Sequence, residues 1–271
     1  MASKEAKYIN GYHPSVLRSH NWRTVENSAA YLIPYLRPDM HILDVGCGPG
    51  TITADFARLA PQGQVVGLEH SAEVLDKARE NAAGRGLTNI KFAVGDIHKL
   101  NFPDNAFDLV HAHQVLQHVG DPVKALSEMR RVTKPGGFVA VREGDFANQV
   151  YYPEDSCLEE LLNLHATIAR SLGGEPNAGR RIVSWAMKAG FPRENIKATA
   201  SAWCYSSPKE RAWWGDMWAE RTVKSGLATS ALEMGLATQE RLEQIADALR
   251  KWAANEDGWY ALMHGEILCT V

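Results

Sequence analysis

One short stretch limits the possible folds more than any other part of the sequence. It spans residues 41–51 and has the sequence His-Ile-Leu-Asp-Val-Gly-Cys-Gly-Pro-Gly-Thr. Its first half is the apolar run of a buried parallel strand, and its second half is rich in glycine. Residues 51–60 then place Ile52, Phe56 and Leu59 on one face, which predicts a helix. A strand, a glycine turn and a helix in this order are typical of an α/β fold with a parallel sheet.

The glycine turn also predicts a ligand site. Gly46, Gly48 and Gly50 tolerate positive φ angles and have no side chain to keep a ligand away from the backbone. The helix that follows presents unpaired N–H groups and the positive end of its dipole. This arrangement suits an anion or a polar nucleoside. The alternative is a glycine-rich turn without a ligand.

The glycine spacing differs from that of a dinucleotide-binding loop. The dinucleotide fingerprint is Gly-x-Gly-x-x-Gly, whereas here the third glycine comes one residue early and Asp44 precedes the first glycine by two. This pattern resembles the first motif of the class I S-adenosylmethionine (SAM) methyltransferases. The resemblance implies that the backbone of residues 46–50, including Cys47, approaches the amino-acid part of SAM. It also implies that Asp44 orients the ammonium group of SAM.

The composition is that of an ordinary soluble protein. The chain has 271 residues, of which 45% are hydrophobic and 23% charged, with a net charge of −3. We therefore expect no nucleic-acid partner, and the absence of long apolar runs predicts no membrane span or secretion signal. Four scattered cysteines indicate a reducing compartment without disulfides or a zinc site. The expected protein is cytoplasmic and a monomer or homodimer.

Two further acidic positions follow predicted strands. Glu69 ends the apolar run 65–69, and 69 − 44 = 25 residues separate it from Asp44, close to the ~20 expected for a carboxylate that binds both ribose hydroxyls. A solvated strand-end glutamate is the alternative. Asp96 follows the run 89–94 and Gly95. The resemblance implies that Asp96 binds the adenine amino group, with Ile97 next to the ring. Gly95 and His70 complete this part of the predicted site.

Residues 101–119 predict a fourth strand and strengthen the resemblance. The segment Phe-Pro-Asp-x-x-Phe-Asp, residues 102–108, is similar to one in the methyltransferases of ubiquinone and menaquinone biosynthesis. That resemblance implies SAM contacts for His113 and, more weakly, for Gln114, although the family often has small polar residues there. His111, His113 and His118 are close in sequence, but no carboxylate or cysteine has matching ligand spacing. We therefore expect no metal.

The remaining pattern predicts a Rossmann-like, seven-stranded class I methyltransferase sheet. The family order of helix, Lys-Pro-Gly-Gly and strand appears at residues 123–143, and residues 196–205 and 261–271 predict the last, antiparallel strands. We expect one domain over residues 1–271. Its parts are an N-terminal helical flap at 1–40, a SAM-binding core at 41–144, and a cap formed by the insertions 145–180 and 206–258.

Two predicted parts leave their roles open. The N-terminal helices either cover the sheet edge or form a flap over the cofactor, with Tyr12, His13 or Trp22 facing inward. The helices predicted at 156–172, 208–224 and 239–254 supply the cap. The tryptophans at positions 213, 214, 218 and 252 form the core of this cap, line a flat apolar pocket, or make a dimer face.

The acceptor is the least constrained part of the function. His13, His113, His118 and His165 are candidate bases, and none belongs to a recognisable catalytic motif. Over its full length the chain resembles small-molecule methyltransferases of filamentous fungi, including those that methylate gliotoxin-type dithiols. The expected acceptor is therefore a thiol of a secondary metabolite, flat and weakly charged. The alternatives are O- or C-methylation of a quinone, phenol or sterol-like metabolite, a protein that binds SAM without methyl transfer, and a nicotinamide-dependent oxidoreductase.

Overall fold

The computed structural model describes residues 9, 11 and 13–271. Within them, seven strands form one sheet in the order β3-β2-β1-β4-β5-β7-β6. The strands are β1 His41–Val45, β2 Gln64–Glu69, β3 Ile90–Val94, β4 Phe107–His113, β5 Thr133–Tyr152, β6 Ile196–Tyr205 and β7 Trp259–Thr270. The expected sheet and fold class are confirmed.

The directions and order of the strands predict where in the sheet a ligand binds. Strands β1 to β5 pair in parallel, and β7 pairs antiparallel with both β5 and β6. The order reverses between β1 and β4, since β2 and β3 lie on one side of β1 and the later strands on the other. In open parallel sheets, ligands bind at the carboxyl ends of strands flanking such a reversal. The glycine loop follows β1 at this edge.

Strand β5 is longer than predicted. The sequence predicted a strand that ends at residue 143, whereas β5 extends to Tyr152. Its pairing with β7 is interrupted after Gly144 and resumes at Gln149. The predicted end was wrong because β7 is long enough to offer backbone partners to both halves of β5.

The helices lie close to their predicted positions. They are α1 Pro14–Asn21, α2 Val25–Ser28, α3 Thr51–Leu59, α4 Ala72–Gly84, α5 Pro122–Val132, α6 Ser156–Ser171, α7 Ile182–Lys188, α8 Pro208–Lys224, α9 Gly226–Glu233 and α10 Gln239–Ala254. Helix α9 was not predicted, and its buried face is only Leu227, Ala228 and Ala231. Among the described residues, no helix combines the length and apolar character needed to cross a membrane.

The N-terminal helices are more broken than predicted. Thr24 caps α2, with its side chain accepting a hydrogen bond from the Asn27 N–H. The later part of the predicted helical flap contains a 3₁₀ segment, Ala30–Tyr35, that includes Pro34. Proline has no N–H to donate and its ring clashes with the preceding turn, so a regular α-helix does not continue here.

A helical cap has a hydrophobic core of its own. We define the cap as α6 together with α8, α9 and α10. Its core includes Leu161, Trp214, Leu227 and Leu249, and it reaches the sheet through Tyr260 of β7. The cap thus packs over the end of the sheet where β5, β6 and β7 extend beyond the parallel strands.

Candidate functional site

The glycine loop after β1 takes the conformation that its sequence predicts. Gly46, Gly48 and Gly50 have φ angles of 68°, 53° and 74°. The N–H groups of Gly46 and Cys47 donate to the Leu68 carbonyl, at 2.7 and 3.0 Å, and so tie the loop to β2. Each positive φ angle favours glycine, and the loop therefore exposes backbone where a side chain would otherwise stand.

Two of these glycines meet different surroundings. A Cβ atom at Gly46 would lie 2.4 Å from Cγ2 of Val115, which is too close for a real contact. A Cβ atom at Gly48 would meet nothing nearer than His20 Nδ1, at 3.9 Å. Gly46 is thus required by packing as well as by its backbone angle. Gly48 faces open space.

Glu69 at the end of β2 holds the loop in place. Its Oε2 accepts from the Gly48 N–H at 3.0 Å, and its Oε1 accepts from the N–H groups of His70 and Ser71 at 2.8 and 3.3 Å. A carboxylate accepts about four hydrogen bonds. Oε2 therefore retains capacity for a hydroxyl group from a ligand.

Asp44 stabilises the base of the loop. It is only 2% exposed, and its two oxygens accept from Thr53 Oγ1 at 2.6 Å and bond His111 Nδ1 at 2.7 Å. These bonds join β1 to α3 and β4. The sequence predicted that Asp44 orients a ligand ammonium group, and here both oxygens already have protein partners, although the residue lines the cavity described below.

The turn after β3 lies beside the glycine loop and the end of β2, and it lines the same cavity. Asp96 Oδ1 accepts from the His98 N–H and bonds the His98 ring, both at 2.8 Å. Burial alone raises the pKa of the Asp96 carboxyl, but the bonds from His98 outweigh it and lower the pKa. Ile97 is buried beside it. Gly95, Asp96, Ile97 and His70 line the same cavity as the glycine loop.

The end of β4 carries a strained residue. Gln114 has a φ angle of 53°, which is uncommon for a residue with a side chain. Its Oε1 accepts from Arg23 Nη2 at 2.6 Å, and its Nε2 lies 2.8 Å from His264 Nε2. Both bonds hold the strand exit in this conformation, and one of them reaches the N-terminal segment.

His113 is enclosed by aromatic rings. It is 5% exposed and lies with its ring centroid 5.6 Å from Trp203 and 6.3 Å from His264. Neither ring nitrogen has a hydrogen-bond partner among the described residues. Burial, with a further contribution from Arg23, lowers the pKa of His113 well below its usual value, so the ring is neutral.

One cavity of about 920 Å³ joins these elements. The loops after β1 to β4 form one side of it. The opposite side is aromatic and comes from the N-terminal segment, the distal strands and the cap: Trp22, Phe146, Trp203, Tyr205, Trp213, Trp214, Trp218 and Tyr260. Its volume is at the upper end of the ~300–1,000 Å³ typical of ligand pockets.

The four candidate bases have different surroundings. His118 and His165 line the cavity, and burial lowers their pKa values to about 3 and about 4. His118 Nε2 bonds the Gln117 side chain at 3.0 Å. His13 lies at the start of α1, where its Nδ1 accepts from the Ser15 N–H, and it is not among the residues that line the cavity.

The N-terminal segment takes part in the site. Trp22 lines the cavity and its ring lies 5.4 Å from Trp203 and 5.6 Å from Trp213. The Thr51 hydroxyl donates to the His20 carbonyl at 3.3 Å, which connects this segment to the start of α3. Trp22 thus faces inward, and its contact with the cofactor as part of a flap stays a prediction. Tyr12 lies outside the described residues.

Of the four tryptophans of the cap, three line the cavity and one lies only in the hydrophobic core of the cap. Trp213, Trp214 and Trp218 line the cavity. Trp252 is buried in the cap core, and its Nε1 donates to the Tyr152 carbonyl at 2.9 Å.

Several cavity residues were missed by sequence reasoning. They are Ser19, His20, Arg23, Val115, Phe146, Trp203, Tyr205, Met217, Arg221, Tyr260 and Leu262. Trp203 and Tyr205 are two apart on β6, and this period of two could have identified a shared face. No local sequence signal identifies Arg221. It reaches the cavity only because α8 packs over the N-terminal segment, where Arg221 Nη2 donates to the Ser15 carbonyl and to Ser19 Oγ.

The described part of the chain offers no evident metal site. No group of three or more histidine, cysteine, aspartate or glutamate side chains within it is placed to hold an ion. The bond between His111 and Asp44 gives that histidine a structural role instead.

Comparison with known proteins points to one family. A model described as a methyltransferase domain matches residues 36–190. The chain is 38% identical to an uncharacterized methyltransferase of Schizosaccharomyces pombe, over 96% of this chain and 95% of that protein. It is 36% identical to a probable methyltransferase of Aspergillus luteorubrus, over 96% of both.

One further similarity covers less of the chain, and another is a likeness between structures at low sequence identity. A ubiquinone/menaquinone biosynthesis C-methyltransferase of Bdellovibrio bacteriovorus is 42% identical over 38% of this chain and 43% of its own length. The structure of the YcgJ protein of Bacillus subtilis superimposes with a TM-score of 0.55 at 20% identity, over 89% of this chain and 98% of that one. The latter likeness concerns the fold alone.

Proposed function

The chain belongs to the class I SAM-dependent methyltransferases, and on this premise we propose that it methylates a small-molecule acceptor, in first place a thiol of a fungal secondary metabolite. The membership establishes an enzyme that uses SAM and forms S-adenosylhomocysteine. It decides against a nicotinamide-dependent oxidoreductase, and the formation of S-adenosylhomocysteine measured below tests the alternative of a protein that binds SAM without transferring its methyl group. The acceptor is the proposed part.

The carboxyl edge of the sheet fits the cofactor. Gly48 opens onto the cavity without steric conflict, and Glu69 has acceptor capacity for a ribose hydroxyl. We assign the adenine to Asp96 and Ile97, and the amino-acid part to the backbone of residues 46–50. Asp44 stabilises this loop through its bonds to Thr53 and His111, and its two oxygens retain acceptor capacity for the ammonium group of SAM. SAM supplies a methyl group on a positively charged sulfur.

The single observation that carries the acceptor proposal is the aromatic side of the cavity. Trp22, Trp203, Trp213 and Trp218 line the same cavity as the loops that we assign to the cofactor. Aromatic walls favour flat, largely apolar molecules. An acceptor in this space is held beside the cofactor, and such positioning is the main requirement of in-line methyl transfer.

A thiol suits this cavity better than a phenol. A free thiol has a pKa near 8.5, so about a few per cent is already thiolate at neutral pH, whereas a phenol titrates near 10. Positive charge nearby favours the anionic form of a nucleophile. Arg23 and Arg221 both line the cavity. The neutral, buried His113, His118 and His165 are weak bases, which also favours an acceptor that ionises readily.

The second candidate is an O- or C-methyltransferase of a quinone, phenol or sterol-like metabolite. The observation that favours it is the similarity to a ubiquinone/menaquinone biosynthesis C-methyltransferase, which covers 38% of this chain. That similarity leaves most of the chain unmatched.

The proposal is tested by comparing matched acceptors. The purified protein is incubated with SAM and either 2-naphthalenethiol or 2-naphthol, and S-adenosylhomocysteine is measured by mass spectrometry. We expect faster formation with the thiol, and a methyl thioether as product. Methylation of 2-naphthol without methylation of the thiol would favour the second candidate. If S-adenosylhomocysteine forms with neither compound, the proposal of a flat, largely apolar acceptor is contradicted.

A further inference from the structure

Part of the cavity is lined by residues that lie outside the glycine loop and outside the turns after β2 and β3. A small cavity of about 10 Å³ shares four of its lining residues, Phe146, His165, Trp214 and Trp218, with the large one. Its other lining residues are Gln149, Leu161 and Leu162. We call the space bounded by the four shared residues the distal chamber. None of the residues that line the small cavity belongs to the glycine loop or to the turns after β2 and β3.

Among the four residues of the distal chamber, His165 is the one with an ionisable side chain. It is 4% exposed. Its ring stacks on Phe146 at 4.6 Å with an interplanar angle of 19°, and Trp218 meets it edge-on at 6.0 Å. These contacts fix the orientation of an imidazole that α6 presents to the cavity.

The His165 ring has unused hydrogen-bonding capacity. Its Nδ1 is buried and has no hydrogen-bond partner among the described residues, whereas buried polar atoms of folded proteins almost always have one. Burial, and then the charge of Arg221, lowers the pKa of His165 to about 4. At neutral pH the ring is therefore uncharged, with one nitrogen that donates and one that accepts.

We infer that His165 hydrogen-bonds the acceptor, and that the acceptor is a flat apolar molecule with a hydroxyl or carbonyl group remote from the atom that is methylated. This inference rests on the proposed function, because it assumes that the acceptor lies under the cap. The three aromatic walls of the distal chamber exclude water and bind the apolar body. We place the polar group apart from the methylated atom because none of the four chamber residues belongs to the loops that we assign to the cofactor.

Calorimetry on the protein saturated with S-adenosylhomocysteine tests the inference without any methyl transfer. The probes are naphthalene and 2-naphthol, which differ by one hydroxyl group. We expect the wild-type protein to bind 2-naphthol about tenfold more tightly, as one net hydrogen bond allows. In His165→Phe, which keeps a ring to stack on Phe146, the two Kd values should agree within about twofold. His165→Gln should restore part of the preference.

A matched control and the affinity for the cofactor separate binding from folding. His41 is exposed at the amino end of β1, on the edge of the sheet opposite the cavity, so His41→Phe should keep the full preference. SAM affinity should stay within about twofold in all variants. Equal binding of both probes by the wild-type protein, binding of neither, or a preference that persists in both His165 variants would overturn the inference. A protein that shows the preference but methylates no acceptor would overturn the proposed function alone.

Discussion

Glu69 joins the glycine loop to the cofactor site, and its removal should weaken SAM binding. Its carboxylate accepts from the Gly48 N–H at 3.0 Å and faces the cavity. Losing hydrogen bonds to a charged group costs about 1.5–3 kcal/mol, so Glu69→Ala should raise the SAM Kd by about 10- to 150-fold. Calorimetry provides the measurement. Glu73→Ala, an exposed carboxylate on α4, is the control, and an unchanged Kd in a folded Glu69→Ala protein would remove Glu69 from the site.

Gly46 and Gly48 share a backbone conformation but differ in their neighbours, which makes their alanine variants informative. Both should lose about 1–2 kcal/mol of stability, because a side chain disfavours positive φ. Gly46→Ala should lose more, since its Cβ atom would lie 2.4 Å from Val115 Cγ2. Adding Val115→Ala should recover part of that extra loss but none of the loss at Gly48. Equal free energies of unfolding for the two glycine variants would contradict this explanation.

At the scale of single elements, α8 has two neighbouring tryptophans that both line the cavity but differ in burial. Trp214 is 5% exposed, and its ring lies 3.9 Å from Tyr260 and 5.4 Å from Trp252. Trp213 is half-buried and lines the cavity. Trp214→Ala should therefore cost about 3–5 kcal/mol of stability. Trp213→Ala should cost less, and it should raise the acceptor KM without changing the SAM affinity.

The measurements for this pair are denaturant unfolding, steady-state kinetics with 2-naphthalenethiol at saturating SAM, and calorimetry for SAM. Ala212→Gly, at an exposed position of the same helix, controls for a loss of helix stability, which should be about 1 kcal/mol. If the acceptor KM is the same for Trp213→Ala and the control, Trp213 has no contact with the acceptor.

The elements also show which features the sequence determines locally. The glycine loop, Glu69 and Asp96 were predicted because each follows a short apolar strand, and strand ends in a parallel sheet meet at one edge. The limits of β6, α8 and α10 were also predicted correctly, and the Ser207 capping box marks the start of α8.

Features that depend on distant partners were not predicted. The second half of β5 exists because β7 pairs with it. Arg23 and Arg221 come from segments about two hundred residues apart, and they reach one cavity only when α1 and α8 pack together. The sequence showed no dense cluster of basic residues, and it could not show that folding brings these two cations to the same site.

At the scale of the whole molecule, buried histidines should make the fold sensitive to acid. Burial lowers the pKa values of His20, His113, His118, His165 and His264. The unfolded chain protonates these rings near pH 6.5, whereas the folded chain does not, so the unfolded state binds more protons below that pH. The free energy of unfolding should therefore fall as the pH drops from about 6.5 towards 4, by up to about 1.4 kcal/mol per pH unit for each histidine.

Glu143 changes the free energy of unfolding with pH in the opposite direction to the histidines. Burial raises the pKa of its carboxyl to about 7, so the folded state binds more protons between about pH 4.5 and 7, and this group alone makes the protein less stable as the pH rises. The effect of this one carboxyl on the pH slope of the unfolding free energy cancels that of about one histidine. Denaturant unfolding at pH 7, 6 and 5 should show a net loss towards acid, and His165→Phe should make the slope shallower by about 1 kcal/mol per pH unit. Stability that is independent of pH over this range would contradict the prediction.

The central claim is that one cavity brings SAM and a flat acceptor together, with the cofactor on the sheet edge and the acceptor under the cap. The most direct test is a crystal structure of the protein with S-adenosylhomocysteine and 2-naphthalenethiol. We predict the ribose at Glu69, the adenine beside Asp96 and Ile97, and the naphthalene ring against the tryptophans of α8. A cofactor bound away from Glu69, or a thiol bound outside the space between the glycine loop and α8, would contradict the account.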